Sequence, residues 1–254
     1  HTHIYDMVKR AADLDMPAVA ISDHGVMSGV PQLCEMCDKV EAETGKRVKP
    51  IYGCEVYFTT DEELRKDTKP KLYHLLLLAK TNEGYHNLVK LVSESHVDNF
   101  YYKPRTTFSM QKYGKGISGS SACIAGIIPK LLDNRQVDEA VEWAKKFASC
   151  FEPGDFYIEL QNQGIRTDAG FTQTELNHML TDVAKAAGLK TIATNDFHYL
   201  TKEDAKAQDY MLCIGTGAAF NDANRMRFEN DQFYMKTEEE MREALKDFPE
   251  ACDT

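Results

Sequence analysis

Eight side chains of the kinds that bind borderline cations punctuate the chain: His1, His3, His24, Glu55, His74, Cys123, Asp196 and His198. Imidazole nitrogens, carboxylates and a thiolate suit zinc, manganese or iron, and a side chain bridging two ions lets one small pocket hold two or three. The chemistry such a centre performs best is metal-assisted hydrolysis of a phosphate ester. Two pairs have informative spacing. In His1-Thr2-His3 and Asp196-Phe197-His198 the ligand types stand two residues apart, on one side of an extended segment.

Taken singly, most of these residues have a plain alternative. His1 and His3 could be surface histidines, Asp23-His24-Gly25 an ordinary turn, and Asp196 a cap or turn residue. Glu55 stands between Cys54 and Val56 and either faces solvent on alternation or enters a site. His74 opens the run Leu75 to Leu78, where a structural histidine is common, and Cys123 follows the small-residue stretch 118–122, where a thiol is usually a small hydrophobe. His86, His96 and His178 fall on predicted helices and read as surface or core residues. The run Phe100-Tyr101-Tyr102-Lys103-Pro104-Arg105 interleaves aromatics with cations. There Lys103 and Arg105 could meet phosphate while the rings stack bases, or the loop could simply pack on the fold.

The elements that must position these groups alternate. Ile4, Met7, Val8, Ala11 and Ala12 recur at helical spacing, and Ala18 to Ile21 form a short apolar strand ending at Ser22-Asp23-His24. Leu33, Met36, Cys37 and Val40 predict a second helix, Val48 to Ile51 a strand, Val56 to Phe58 a further extended piece, and Leu75 to Leu78 a buried strand. Helices follow from a cap at Asn82, over 137–151 and over 175–187, with strands at Phe156 to Leu160 and Thr191 to Ala193. This βα rhythm favours a parallel sheet covered by helices. Ligand types at nearly every strand end favour a closed barrel, which points those ends at one centre. Beyond Tyr199 the texture changes to a helix over 202–213, a break at Gly215-Thr216-Gly217 and a last helix opened by Glu238, so residues 1–205 and 206–254 read as separate units.

The formal net charge of −10 excludes broad, non-specific attraction to DNA and leaves only local contacts. Seven cysteines, an odd number, argue against a disulfide framework and for a reducing, cytoplasmic setting. No apolar run of about 18 residues and no signal peptide is present, so no membrane role is expected.

In order, His1-Thr2-His3, Ser22-Asp23-His24-Gly25, Gly53-Cys54-Glu55, His74 before its leucine strand, Cys123 and Asn195-Asp196-Phe197-His198 resemble the polymerase and histidinol phosphatase (PHP) superfamily. Within it, Tyr73-His74-Leu75, the stretch 79–85, Phe100 to Arg105 and the stretch 209–217 are similar to the N-terminal part of bacterial DNA polymerase III alpha subunits, over essentially the whole chain. The resemblance implies a distorted seven-stranded (βα)7 barrel of the TIM type with two or three metal ions at the C-terminal strand ends. It also implies a metal-dependent 3′–5′ exonuclease acting on the primer strand, or a degenerate relative kept for stability. A non-catalytic scaffold and a free-standing histidinol-phosphatase-like phosphoesterase are the alternatives. DNA, the rest of the polymerase and other replisome subunits are the implied partners, and polymerisation itself is expected to lie beyond this chain. Active relatives use nine ligands, of which eight have counterparts here. The ninth, an acid in the first loop, has none, because His3 runs directly into the helical pattern containing Asp6, so chain flanking this motif is expected to lie outside the sequence.

Overall fold

The computed structural model describes residues 3–65 and 71–254. His1 lies outside the described residues. The helical spacing at the start of the chain produces α1 (Ile4–Asp13), which buries Met7, Val8, Ala11 and Ala12, and β1 (Ala18–Ile21) follows. α2 (Val30–Thr44) buries Val30, Leu33, Cys37 and Val40 and stops at Gly45, whose φ of 73° suits a residue without a Cβ. After it come β2 (Lys49–Phe58), the single turn α3 (Asp61–Leu64), β3 (Tyr73–Ala79) and α4 (Asn82–Val97). The cap of α4 is Thr81, one residue before the expected Asn82, and its hydroxyl accepts the Gly84 N–H. The remaining elements are β4 (Arg105–Thr106), β5 (Ile117–Ser120), α5 (Ile127–Asp133), α6 (Val137–Ala148), β6 (Phe156–Leu160), α7 (Gln173–Ala187), β7 (Lys190–Ala193), α8 (Ala205–Thr216), α9 (Glu238–Ala244) and α10 (Pro249–Cys252).

The described strands form one seven-stranded sheet in the order β1-β2-β3-β5-β6-β7, with β4 paired to β2. The sheet is curled into a half-barrel, since the loops after its two end strands, at His24 and at Asp196, line one cavity. An all-parallel sheet was the expectation, and β3 corrects it. β3 runs antiparallel to both β2 and β5, whereas β1/β2, β2/β4, β5/β6 and β6/β7 are parallel. The reversal decides the position of His74. This residue starts its strand, but with β3 inverted that start lies beside Tyr57, near the C-terminal end of β2.

Two further differences have local causes. The pieces expected at 48–51 and 56–58 are one ten-residue strand, because Tyr52 to Glu55 continue the pairing with β1 and β3. The small-residue stretch before Cys123 contains a strand, β5, rather than only a turn. A Cβ on Gly119 would stand 2.8 Å from the Phe151 ring, so the strand tolerates no side chain there and lacks the β-branched signal that marks strands.

Alternation along β2 separates core from site. Cys54, Val56 and Phe58 are fully or almost fully buried, and with Leu75 and Leu77 of β3 they face the main core under α4, α6 and α7. Glu55, Tyr57, His74 and Leu76 therefore point to the opposite face. A smaller core joins α1, β1 and α2. The segment after residue 205 makes two kinds of contact: Leu245, Phe248 and Ala251 enter the main core, whereas Tyr210, Met211 and Ile214 of α8 are exposed. No helix among the described residues is long and apolar enough to cross a membrane.

Candidate metal centre

Glu55 is the hub. Its side chain is only 12% exposed, which answers the question alternation left open: it enters the site. Its Oε1 lies 2.7 Å from His74 Nδ1 and its Oε2 lies 3.3 Å from His24 Nδ1. Cys123 Sγ stands 3.4 Å from His74 Nδ1 and 3.8 Å from Glu55 Oε1. Backbone bonds set these positions. The Gly25 N–H donates to the Glu55 carbonyl at 2.9 Å and the Glu55 N–H to the Asp23 carbonyl at 3.1 Å, which zips the loop after β1 onto β2. The Gly25 carbonyl lies 2.8 Å from His96 Nε2 on α4. Tyr57 braces both imidazoles, stacking on His24 at 6.0 Å and meeting His74 edge-on at 5.7 Å.

The cavity in front of this cluster has a volume of about 850 Å³. It is lined by His3, His24, Glu55, Cys123, Asp196 and His198, with Asp23, Asn195 and Glu159 among the other polar groups. His74 is not among the lining residues but stands beside Glu55. His3 is the N-cap residue of α1, so Asp6 is inside that helix and not in a preceding loop, as the helical pattern implied. Asp196 Oδ1 lies 3.3 Å from His198 Nε2. Asp196 itself has φ 48°, and Ala122, directly before Cys123, has φ 58°. Left-handed backbone at a non-glycine residue is costly and persists where the surroundings impose it. Asp196 is itself a nominated ligand and Ala122 directly precedes one.

The donor set fits divalent metal. Ligand atoms about 2.0–2.3 Å from a tetrahedral ion lie about 3.3–3.7 Å from each other; the His24–Glu55 and His74–Cys123 separations match this, while the 2.7 Å His74–Glu55 contact is a direct pairing of the two side chains. One atom each from His24, Glu55 and His74 falls within 4.8 Å of the other two. The electrostatics agree. Burial, reinforced by the Glu55 and Asp196 carboxylates, pushes the Cys123 thiol up, so it keeps its proton at neutral pH and is a poor nucleophile. Burial also acts to raise Asp196, but the His198 hydrogen bond and the His198, His24 and His74 charges outweigh it and hold the carboxyl below its usual range. A metal that recruits the Cys123 thiolate must expel its proton. Zinc affinity measured by competition with a chromophoric chelator should therefore rise by about tenfold per pH unit between pH 7 and 8.5. A Cys123→Ser variant should show a flatter dependence, and equal slopes would exclude the thiolate as a ligand.

The two nominated cations part company. Lys103 is exposed, with its Nζ 5.4 Å from the Tyr57 ring centre and so beside the cluster. Arg105 is turned inward at 6% exposure, donating to the carbonyls of Asn99 at 2.8 Å and Leu64 at 3.5 Å and lying over the Tyr101 ring. A guanidinium so engaged ties its own loop to the surrounding carbonyls.

A family model described as "PHP domain" matches residues 1–163. The chain belongs to the PHP domain family. Similar proteins named DNA polymerase III subunit alpha come from Borreliella burgdorferi, 38% identical over 98% of this chain, Treponema pallidum, 33% identical over 96%, and Thermus aquaticus, 36% identical over 92%. The PHP chain spans about a fifth of the length of these relatives, 21%, 20% and 18% respectively.

Two residues at this PHP site, Tyr57 and Glu159, were not singled out in the sequence, and a third, His96, was read there as a surface or core residue. Tyr57 and His96 brace the cluster, and Glu159 lies 3% exposed at the end of β6 beneath the cavity. Glu159 had one available signal, an acid within an otherwise apolar strand, Phe156 to Leu160.

Proposed function

We infer that the chain is the N-terminal PHP part of a bacterial replicative DNA polymerase III alpha subunit and acts as a metal-dependent phosphodiesterase with 3′–5′ exonuclease polarity. The observation that carries this reading is the meeting of His24, Glu55, His74 and Cys123, from four separate chain segments, beside a cavity lined by Asp196 and His198. These six residues with His3, and His1 by its place in the motif, would hold two or three divalent ions of zinc, manganese or iron at the C-terminal ends of a barrel. Such ions supply Lewis acidity and an activated water, so no protein nucleophile is needed.

The protein's own groups orient the substrate. Lys103, beside Tyr57, is placed to meet a phosphate flanking the scissile one, and its local charge matters because the chain as a whole is acidic. The substrate is the 3′ end of a primer strand. Residues 1–205 form the metal-dependent barrel and 206–254 lead toward the polymerase palm, where α8 exposes Tyr210, Met211 and Ile214 to the rest of the polymerase and other replisome subunits. The setting is the bacterial cytoplasm.

Joint replacement of Asp196 and His198 by alanine should lower bound metal and abolish release of nucleotides from the 3′ end of single-stranded DNA. Unchanged hydrolysis by the purified double variant would refute the assignment. A second reading, a metal-stabilised scaffold without catalysis, draws on the bonds that tie the His198 loop to the later chain: the His198 N–H donates to the Phe233 carbonyl at 2.8 Å, and the Asn195 amide to the Tyr234 carbonyl at 2.7 Å. Chelation that lowers the melting temperature of a protein that never degrades DNA would favour it. A free-standing histidinol-phosphatase-like enzyme is the weakest reading, since relatives matching 92–98% of the chain are polymerase subunits.

A further inference from the structure

The two ligand-bearing turns that hold Cys123 and Asp196 begin close to where strand pairing stops. The β5/β6 ladder ends at Ser120 opposite Tyr157, three residues before Cys123. The β6/β7 ladder ends at Ala193 opposite Leu160, also three residues before Asp196. Past those points each ladder continues by one backbone bond, Ser121 N–H to the Tyr157 carbonyl and Thr194 N–H to the Leu160 carbonyl, both at 3.1 Å, and each turn then carries a left-handed residue, Ala122 and Asp196, that costs energy to hold. Both turns must nevertheless keep their ligands in place within a fraction of an ångström.

One side chain reaches both. Glu159, on the middle strand β6, accepts the Ser120 hydroxyl on one carboxylate oxygen and the Thr194 hydroxyl on the other. Its backbone N–H donates to Ser121 Oγ at 2.9 Å. Gln161 Nε2 completes the bracket, donating to Glu159 Oε1 at 2.9 Å and to Thr194 Oγ1 at 3.1 Å. Burying a carboxylate at 3% exposure is expensive, and a hydroxyl on each oxygen is the kind of compensation that makes it tolerable. An apolar residue here would fill the same space without that cost, so burial alone does not explain an acid at this position.

We propose that Glu159 is a positioning residue of the metal centre: its two carboxylate oxygens clamp Ser120 and Thr194, and so set the Cys123 turn and the Asp196–His198 turn relative to each other. It is not itself a ligand. The inference rests on the metal-centre reading above and goes beyond it by naming what holds the ligands. Each arm serves one turn, Ser120 that of Cys123 and Thr194 that of Asp196.

Cobalt(II) titration of the full-length parent polypeptide tests this, because thiolate ligation gives a near-ultraviolet charge-transfer band that reports Cys123 alone, while total cobalt bound reports the whole centre. Glu159→Ala should weaken cobalt binding by about 10- to 100-fold, the usual cost of losing an outer partner of a metal ligand, and shift or remove the band. Glu159→Gln keeps the shape, and its amide oxygen and NH2 can still pair with the two hydroxyls, so it should restore binding to within about threefold. If the alanine variant does not fold, the arms are tested singly. Ser120→Ala should alter the thiolate band, and Thr194→Val should reduce the cobalt bound while leaving that band in place, a side-specific split that general destabilisation does not produce. Wild-type band and affinity in a folded Glu159→Ala protein, or equal effects of both single-arm variants on both signals, would overturn the proposal. Absence of the band in the wild type would instead overturn the thiolate-containing centre on which it rests.

Discussion

Glu55→Ala should empty the cluster of His24, His74 and Cys123. All three converge on that carboxylate, at 3.3, 2.7 and 3.8 Å, and no other acid among the described residues joins the two imidazoles in a compact ligand group. Loss of an outer-shell partner already costs about 10- to 100-fold in metal affinity. Loss of the shared carboxylate should exceed that, and on the exonuclease reading proposed above 3′-end hydrolysis should fall with it. The fold should survive. Glu55 faces the cavity, whereas its neighbours Cys54 and Val56 face the core, so circular dichroism should be unchanged while elemental analysis shows the metal gone. A variant retaining the wild-type metal complement would show that the cluster is not the binding site.

The opposite face of the same strand should give the converse result. Phe58 is fully buried and sits among Phe108, Trp143 and Phe147 at ring distances of 5.1, 5.9 and 4.9 Å. Phe58→Ala removes the centre of that aromatic group and should cost about 3–5 kcal/mol through lost burial and the remaining cavity. For a chain of this size that corresponds to a drop of about 6–20 °C in melting temperature. Metal bound per folded molecule should stay at the wild-type level, because Glu55 and Phe58 are three positions apart, an odd separation that puts the two on opposite faces of the strand. Thermal unfolding with metal held in excess checks the first part and elemental analysis the second. A melting temperature within about 2 °C of wild type would show that the aromatic group does not hold the sheet to α6.

Much of the local structure was readable from the chain because periodicity and capping are local. The spacing of Met7, Val8, Ala11 and Ala12 marks α1, and the pattern over 175–187 marks α7, whose reciprocal cap between Thr172 and Glu175 the structure adds. β5 was hidden for an equally physical reason: Phe151 and Phe156 crowd Gly119, so the strand is built from the residues that least resemble one. The ligand types and their order were also in the sequence, which is why the family resemblance could be stated before the fold.

What the amino-acid order determined by itself was an inventory: alternating helices and strands, acidic character and a series of histidines, acids and one cysteine near strand ends. Tertiary structure decided which of these meet. Orientation in a sheet depends on pairing between segments far apart in sequence, so nothing local to Tyr73–Ala79 reveals that β3 runs backwards and thereby brings His74 to Glu55. The same holds for the two cations of the loop 100–105. Lys103 and Arg105 look alike in sequence, and only packing turns one toward the centre and seals the other against the carbonyls of Asn99 and Leu64. Glu159 is the clearest case. Its neighbours in the chain show only a lone acid in a strand, whereas its partners Ser120 and Thr194, 39 and 35 residues away, make it a bracket across three strands.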